Sequence, residues 1–241
     1  MFLRNLKMAC RRGFVAALCV ATPVSASSLT DTESLEIAQA AFDELDYDTA
    51  FELWTPLADN GSIDAQLALA DAALNCDCVD DGTNIAFKYY RMAAKQGDAY
   101  ALRQMGWIYN VKGDDKDEAA VYYQAAADMG DVESQIELGD LYRDGVGGAE
   151  TEKLSPKYYL MAAAQGDGRA YARMARLYGT GGPIAADPTK AYVAQSIAAA
   201  LSFPMAKEKL PEAAKKLNAK QLKAAKALVA KCVKAQYLKC L

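Results

Sequence analysis

The sequence predicts an all-α solenoid of about five helix–turn–helix repeats with a capping helix at each end. Three observations predict it. The segment YYRMAAKQGD at 89–98 returns as YYQAAADMGD at 122–131 and YYLMAAAQGD at 158–167, with a weaker copy, LWTPLADNGS, at 53–62. The glycines of these copies, Gly61, Gly97, Gly130 and Gly166, stand 36, 33 and 36 residues apart. On both sides of each glycine, apolar residues recur at helical spacing, so each unit has one greasy face and nothing of its own to bury it against.

The first 26 residues read as an address. Arg4, Lys7, Arg11 and Arg12 precede the short apolar stretch GFVAALCVATPVSA, with no acidic residue among them. Val24-Ser25-Ala26 suits signal-peptide cleavage after Ala26, and the apolar stretch is too short to span a bilayer. RRGFV also fits a twin-arginine signal, so the route of export stays open. Leu18 before Cys19 does not suit a lipoprotein. The mature chain is expected to be periplasmic or secreted, without a stable membrane anchor. Residues 27–46 then hold a capping helix, SLEIAQAAFDEL at 34–45.

The repeats are expected over 47–217. Eleven residues before each glycine stand Ala50, Ala86, Ala119 and Ser155; eight and seven before stand Leu53-Trp54, Tyr89-Tyr90, Tyr122-Tyr123 and Tyr158-Tyr159. Leu57-Ala58 and three Ala-Ala pairs complete this first helix, and the glycine closes it by taking a left-handed conformation. In the second helix, Ala65, Ala101, Ser134 and Ala170 stand four after the glycine, and Ala70, Gly106, Gly139 and Ala175 stand nine after. Small residues there predict close helix approach. A degenerate fifth copy has Ser202 in place of the glycine. Asp187-Pro188 and Ser155-Pro156 read as helix caps followed by a first-turn proline. Residues 218–241 form the C-terminal cap.

Composition excludes several chemistries. The chain has no histidine, which removes His-based triads and His-ligated zinc. Residues 27–205 carry 13 basic and 29 acidic residues, whereas 206–241 carry ten Lys against Glu208 and Glu212. An acidic body lacks the footprint of a nucleic-acid binder. The glycine-rich turns at 145–148 and 179–182 complete no G-x-G-x-x-G and follow helices, so they read as turns. GDDKDE (113–118) reads as a capped turn and does not fit a calcium loop. No S-x-x-K or G-x-S-x-G occurs.

Cys76, Cys78, Cys232 and Cys240 remain after signal cleavage, an even number for an oxidising compartment. Cys76 and Cys78 read either as a redox or soft-metal pair or as a small structural disulfide. Asp77, Asp80 and Asp81 disfavour a thiolate, which favours the structural reading. In an unbroken helix Cys232 and Cys240 would lie about 12 Å apart, so their pairing demands a turn near Ala235–Tyr237. Crossed pairs between the two ends would span several repeats, so distance favours local pairing.

The pattern A-x-x-Y-Y…A-A-x-x-G-[DS]…A-x-x-x-[LM]-[GA]-x-x-Y resembles the Sel-one-like repeat (SLR) family, relatives of the tetratricopeptide repeats. DGVGGAE (144–150) and GTGGPIAAD (179–187) are similar to its linkers, and NCDCVDDGTN (75–84) departs from them. The resemblance covers roughly 45–217. It implies a right-handed α/α superhelix serving as an exported protein-interaction scaffold, with no catalytic residue and no cofactor. It also implies a Cys232–Cys240 disulfide stapling a terminal half-repeat. The partner is expected to be a protein or peptide of basic character, held on the concave face of the first helices. Candidate contacts are Tyr90, Arg91, Tyr123, Gln124 and Tyr159, although spacing leaves open which tyrosine of each pair faces outward. Two rival readings stand beside it: thiol or metal chemistry at Cys76 and Cys78, and envelope attachment through the lysine-rich tail.

Overall fold

The computed structural model describes residues 29–76 and 79–235. Among them there are helices and turns and no strand. The chain divides into two compact units, one ending at Leu53 and one starting at Trp54.

In the first unit, α1 (Asp31–Asp43) opens with a capping box: the Thr30 hydroxyl accepts from the Glu33 amide, and the Glu33 carboxylate accepts from the Thr30 amide. Phe42 and Tyr47 meet with ring centroids 5.3 Å apart. Tyr47 begins α2 (Tyr47–Asp59), a helix that runs across the unit boundary.

The second unit is an all-α repeat solenoid. Its helices are α3 (Ile63–Asn75), α4 (Gly82–Lys95), α5 (Ala99–Trp107), α6 (Lys116–Asp128), α7 (Val132–Arg143), the short α8 (Ala149–Glu152), α9 (Ser155–Ala164), α10 (Gly168–Thr180), α11 (Pro188–Ala200), α12 (Ala206–Lys215) and α13 (Ala219–Lys234). Within repeats, α4 packs on α5, α6 on α7, α9 on α10 and α11 on α12; between repeats, α3 packs on α4, α5 on α6, α7 on α9 and α10 on α11. α13 returns onto α11 and joins one core cluster with Val193, Ile197, Ala225 and Cys232.

The G-[DS] step is a hinge with two jobs. Gly97 (φ +85°) and Gly130 (φ +97°) take the left-handed conformation that ends the first helix. The next residue caps the second: Asp98 accepts from the Ala101 amide and Asp131 from the Ser134 amide, both at 2.7 Å. In the fifth repeat Ser202 holds φ +59° without being glycine, and the turn survives, with the Phe203 amide donating to the Ala198 carbonyl at 2.9 Å.

Buried glutamines tie successive repeats. Gln66 Nε2 donates to the Ala58 carbonyl at 2.9 Å, and Gln96 Nε2 donates to Gln66 Oε1 at 2.9 Å. Two repeats on, Gln135 donates to the Ala127 carbonyl and Gln165 to Gln135 Oε1 in the same arrangement. Each satisfies polar groups that burial would otherwise penalise.

One cap departs from expectation. Leu154, not Ser155, is the N-cap of α9. Ser155 is the first helical residue and is fully buried, because its register places it at the alanine position of the core. Asp187, by contrast, caps α11 as expected, accepting from the Thr189 and Lys190 amides. Asp115 likewise caps α6, accepting from the Glu118 amide at 3.0 Å.

Candidate functional site

The second helix of each repeat carries residues three, seven and ten after its glycine on one face. In α7 these are Glu133, Glu137 and Asp140; in α10 they are Arg169, Arg173 and Arg176. The acidic row meets the basic row. Arg169 Nη1 lies 2.7 Å from Glu133 Oε1, and Arg173 Nε lies 2.9 Å from Asp140 Oδ2. Asp140 also accepts from Arg143 and from the Tyr159 hydroxyl. The corresponding residues of α5 are Tyr100, Gln104 and Trp107, which offer no cation. Among the described residues, Glu137 makes no hydrogen bond and no ion pair.

Glu137 faces a cleft of about 290 Å³ between α5 and α7. Arg103, Gln104 and Trp107 of α5 line one wall, and Glu133 and Glu137 of α7 line the other. Tyr123 of α6 contributes the floor. Its ring lies so close to Gly106 that a β-carbon there would come within 2.8 Å of it. Asn110 and Val111 complete the rim. They belong to a π-helical turn, Ile108–Lys112, in which α5 ends. The link from this turn to α6 is only Gly113–Asp115, and no short extra helix intervenes as it does after α7. This is the short repeat, with the 33-residue spacing. Such π turns recur at functional sites.

The electrostatics of the cleft are uneven. Burial pushes the Glu137 carboxyl up from its ordinary range, and the nearby Asp140 and Glu133 carboxylates add to this, against opposition from Arg173 and Arg169. Arg103 Nε stands 3.3 Å from Asp131 Oδ1, an ion pair without hydrogen-bond alignment. The Arg103 guanidinium lies 4.9 Å from the Tyr100 ring centre. Burial also pushes the Tyr123 hydroxyl up, with Glu137 contributing.

Of the residues expected to meet a partner, only Tyr123 lines this cleft. Tyr90, Tyr123 and Tyr159 are fully buried, so their rings offer no exposed anchor surface. The Tyr90 and Tyr159 hydroxyls instead donate hydrogen bonds to Asp71 and Asp140 of the preceding repeat. The expectation that one tyrosine of each pair reaches the surface also fails for Tyr89 and Tyr158, which are buried. Gln124 is occupied within the stack, its Oε1 accepting from Tyr158 at 2.5 Å and Tyr142 at 3.3 Å. Arg91 is exposed, with its guanidinium 5.8 Å from the Phe87 ring centre. Arg103, Gln104, Trp107, Asn110 and Glu137 escaped the sequence reading. The signal was present in the alternation of residues seven after each glycine: Ala68, Gln104, Glu137 and Arg173.

Cys76 ends α3 and is disulfide-bonded; Cys78, its expected partner, lies outside the described residues. Cys232 is buried in α13, and Cys240 lies outside them as well. α13 ends at Lys234, where the pairing of Cys232 with Cys240 requires a turn. The lysines of α13 are exposed and its Ala225 and Cys232 buried, while Leu228 is partly exposed. The proposed signal peptide lies outside the described residues. Among the described residues, no group of side chains could hold a metal ion, and no helix is long and apolar enough to cross a membrane.

The Sel1 repeat family profile matches residues 79–98, 99–131, 132–167 and 168–193. These are Sel1 repeats. The first copy and most of the fifth fall outside the match, yet their helices are present in the structure. The human Protein sel-1 homolog 2 is 34% identical over 132 residues, 54% of this chain and 19% of its own length. Two solved structures have a similar fold. A protective antigen present in uropathogenic Escherichia coli strains, displaying an SLR fold, has a TM-score of 0.72 and 25% identity over 87% of this chain and 47% of its own. A Sel1 repeat protein from Oxalobacter formigenes has a TM-score of 0.66 and 24% identity, covering 82% of this chain and 84% of its own. The chain thus spans about a fifth of the human relative and about half of the Escherichia coli protein. Sel1-repeat solenoids are generally protein-interaction scaffolds and typically non-enzymatic.

Proposed function

We propose that this chain is an exported scaffold that binds a protein or peptide partner through its Sel1-repeat solenoid. The observation that carries this reading is the cleft between α5 and α7. It holds a carboxylate with no ion pair of its own, Glu137, in the same lining as Trp107, where the rest of the helix face is tied up in ion pairs. The surplus of acidic residues over 27–205 supports a partner of basic character. Export rests on the basic and apolar pattern of residues 1–26, and an SLR relative that is a protective antigen is in keeping with it.

The test is crosslinking in the host cell with mass-spectrometric identification of what is captured. A defined partner, recovered at about 50 mM salt and released at about 500 mM, is the expected result. Recovery of nothing above a scrambled-charge control removes the scaffold reading; recovery indifferent to salt removes its electrostatic part. N-terminal sequencing of the secreted material is expected to begin at Ser27.

A further inference from the structure

We propose that the cleft between α5 and α7 receives one arginine side chain of the partner, with Glu137 as its counter-charge. The inference rests on the scaffold reading and names the group that the scaffold recognises.

The accounting of charge leads to it. On α7, Glu133 is paired with Arg169, and Asp140 with Arg143 and Arg173. Glu137 lies between them, half-buried, with Arg173 and Arg169 acting on it only from beyond ion-pair distance. Partial burial and two flanking carboxylates disfavour its negative charge more than the distant Arg173 and Arg169 favour it, and a cation in direct contact would relieve it. The one cation in the lining, Arg103, is directed to Asp131 and the Tyr100 ring.

Size and chemistry select the occupant. A cleft of about 290 Å³ is at the lower edge of pockets that enclose a whole small-molecule ligand, which span about 300–1,000 Å³. It suits one long side chain. Its acceptors are spread out rather than focused on a point. Gln104 donates one amide proton to the Tyr100 hydroxyl at 2.8 Å, and its carbonyl oxygen has no donor among the described residues. The Glu137 carboxylate adds a charged acceptor, while the Tyr123 hydroxyl is engaged by Asn110. A planar fork with five donors matches such a set better than a point-charge ammonium; the Trp107 ring is already faced by Lys112, whose Nζ lies 5.9 Å from its centre. The π turn Ile108–Lys112 makes this site unlike its counterparts along the array, because it brings Asn110 and Val111 to the rim.

The test is calorimetric titration of the full mature chain with N-acetyl-arginine amide, N-acetyl-citrulline amide and N-acetyl-lysine amide. Citrulline keeps the shape of arginine and loses the charge. Saturable binding of the arginine probe, about tenfold weaker for citrulline and weaker for lysine, is expected. Glu137→Gln is expected to weaken the arginine probe by about tenfold; it removes a disfavoured charge, so circular dichroism should stay that of the parent. Glu133→Gln, which breaks an existing pair, serves as the comparison and should change binding less. No saturable binding of the arginine probe, equal binding of citrulline, or undiminished binding by Glu137→Gln overturns the proposal. Equal binding of lysine overturns the assignment to a guanidinium. If the Glu137→Gln chain still captures the partner as the parent does, the site is wrong while the scaffold stands. If the parent captures no partner, the scaffold reading fails and the probe titration still decides what the cleft binds.

Discussion

Two serines occupy places where the repeat otherwise puts alanine. Ser134 and Ser155 are fully buried, and neither hydroxyl has a hydrogen-bond partner among the described residues. A buried, unsatisfied hydroxyl costs about 1–3 kcal/mol. Ser134→Ala and Ser155→Ala should therefore each stabilise the chain by about 1 kcal/mol, read as a higher urea midpoint at unchanged slope. The sequence reading placed Ser155 in the right register and then took Ser-Pro for a cap. Capping depends on where the helix begins, and Leu154 begins it one residue earlier. Glu137 gives a second prediction. Its carboxyl holds its proton more tightly folded than unfolded, so its contribution to stability is present at low pH and is lost as pH rises above its ordinary value of 4.5. Relative to the parent, Glu137→Gln should have little effect on melting temperature near pH 4 and raise it at pH 7. Equal effects at both pH values would contradict the origin assigned to the shift. The partner tyrosines Tyr90 and Tyr159 were legible as aromatic positions but not as buried ones. Their hydroxyls are drawn inward by Asp71 and Asp140, residues a full helix upstream that no spacing rule singles out.

Between elements, the controlling contact is a tyrosine ring laid on a glycine. A β-carbon on Gly139 would stand 2.6 Å from the Tyr159 ring, and one on Gly106 would stand 2.8 Å from the Tyr123 ring. In each case the glycine belongs to the second helix of one repeat and the tyrosine to the first helix of the next. Neither ring has room to retreat, since both are fully buried. Gly139→Ala should cost about 1–3 kcal/mol through overpacking, measured by thermal or urea unfolding. Ser202 is the opposite case. It holds a left-handed conformation that costs a residue with a side chain about 1–2 kcal/mol. Ser202→Gly should recover up to about 1 kcal/mol, the rest being offset by the freer unfolded chain. The close approach of helices was legible from the small residues nine after each glycine. What approached was not, because the tyrosine and the glycine are separated by a linker whose path the sequence leaves undefined.

Across the second unit, the helices form an array in which each packs mainly on its neighbours. Stability in such arrays is local and propagates weakly. Removing residues 219–241 takes away α13 and uncovers the α11 cluster containing Val193 and Ile197. Hydrogen exchange in 188–200 should then accelerate by at least about tenfold, while amides of α4 through α6 keep their protection. Uniform acceleration would mean that the array unfolds as one body. The fold class, the turn positions and the number of repeats were legible at this scale because one glycine and its flanking apolar residues recur in register. The cleft was not. It arises where one repeat is three residues shorter and α5 ends in a π turn, and where the acidic row of α7 faces a basic row on one side and the uncharged Tyr100, Gln104 and Trp107 on the other. The ring-on-glycine contacts also bear on how such chains can be recombined. Each contact straddles the joint between sequence repeats, so the interchangeable module runs from the second helix of one repeat through the first helix of the next. A chimaera cut within the 131–132 turn would carry Gly139 and Tyr159 together and keep its seam. One cut in the 144–154 linker would separate them and import whatever mismatch the donor brings.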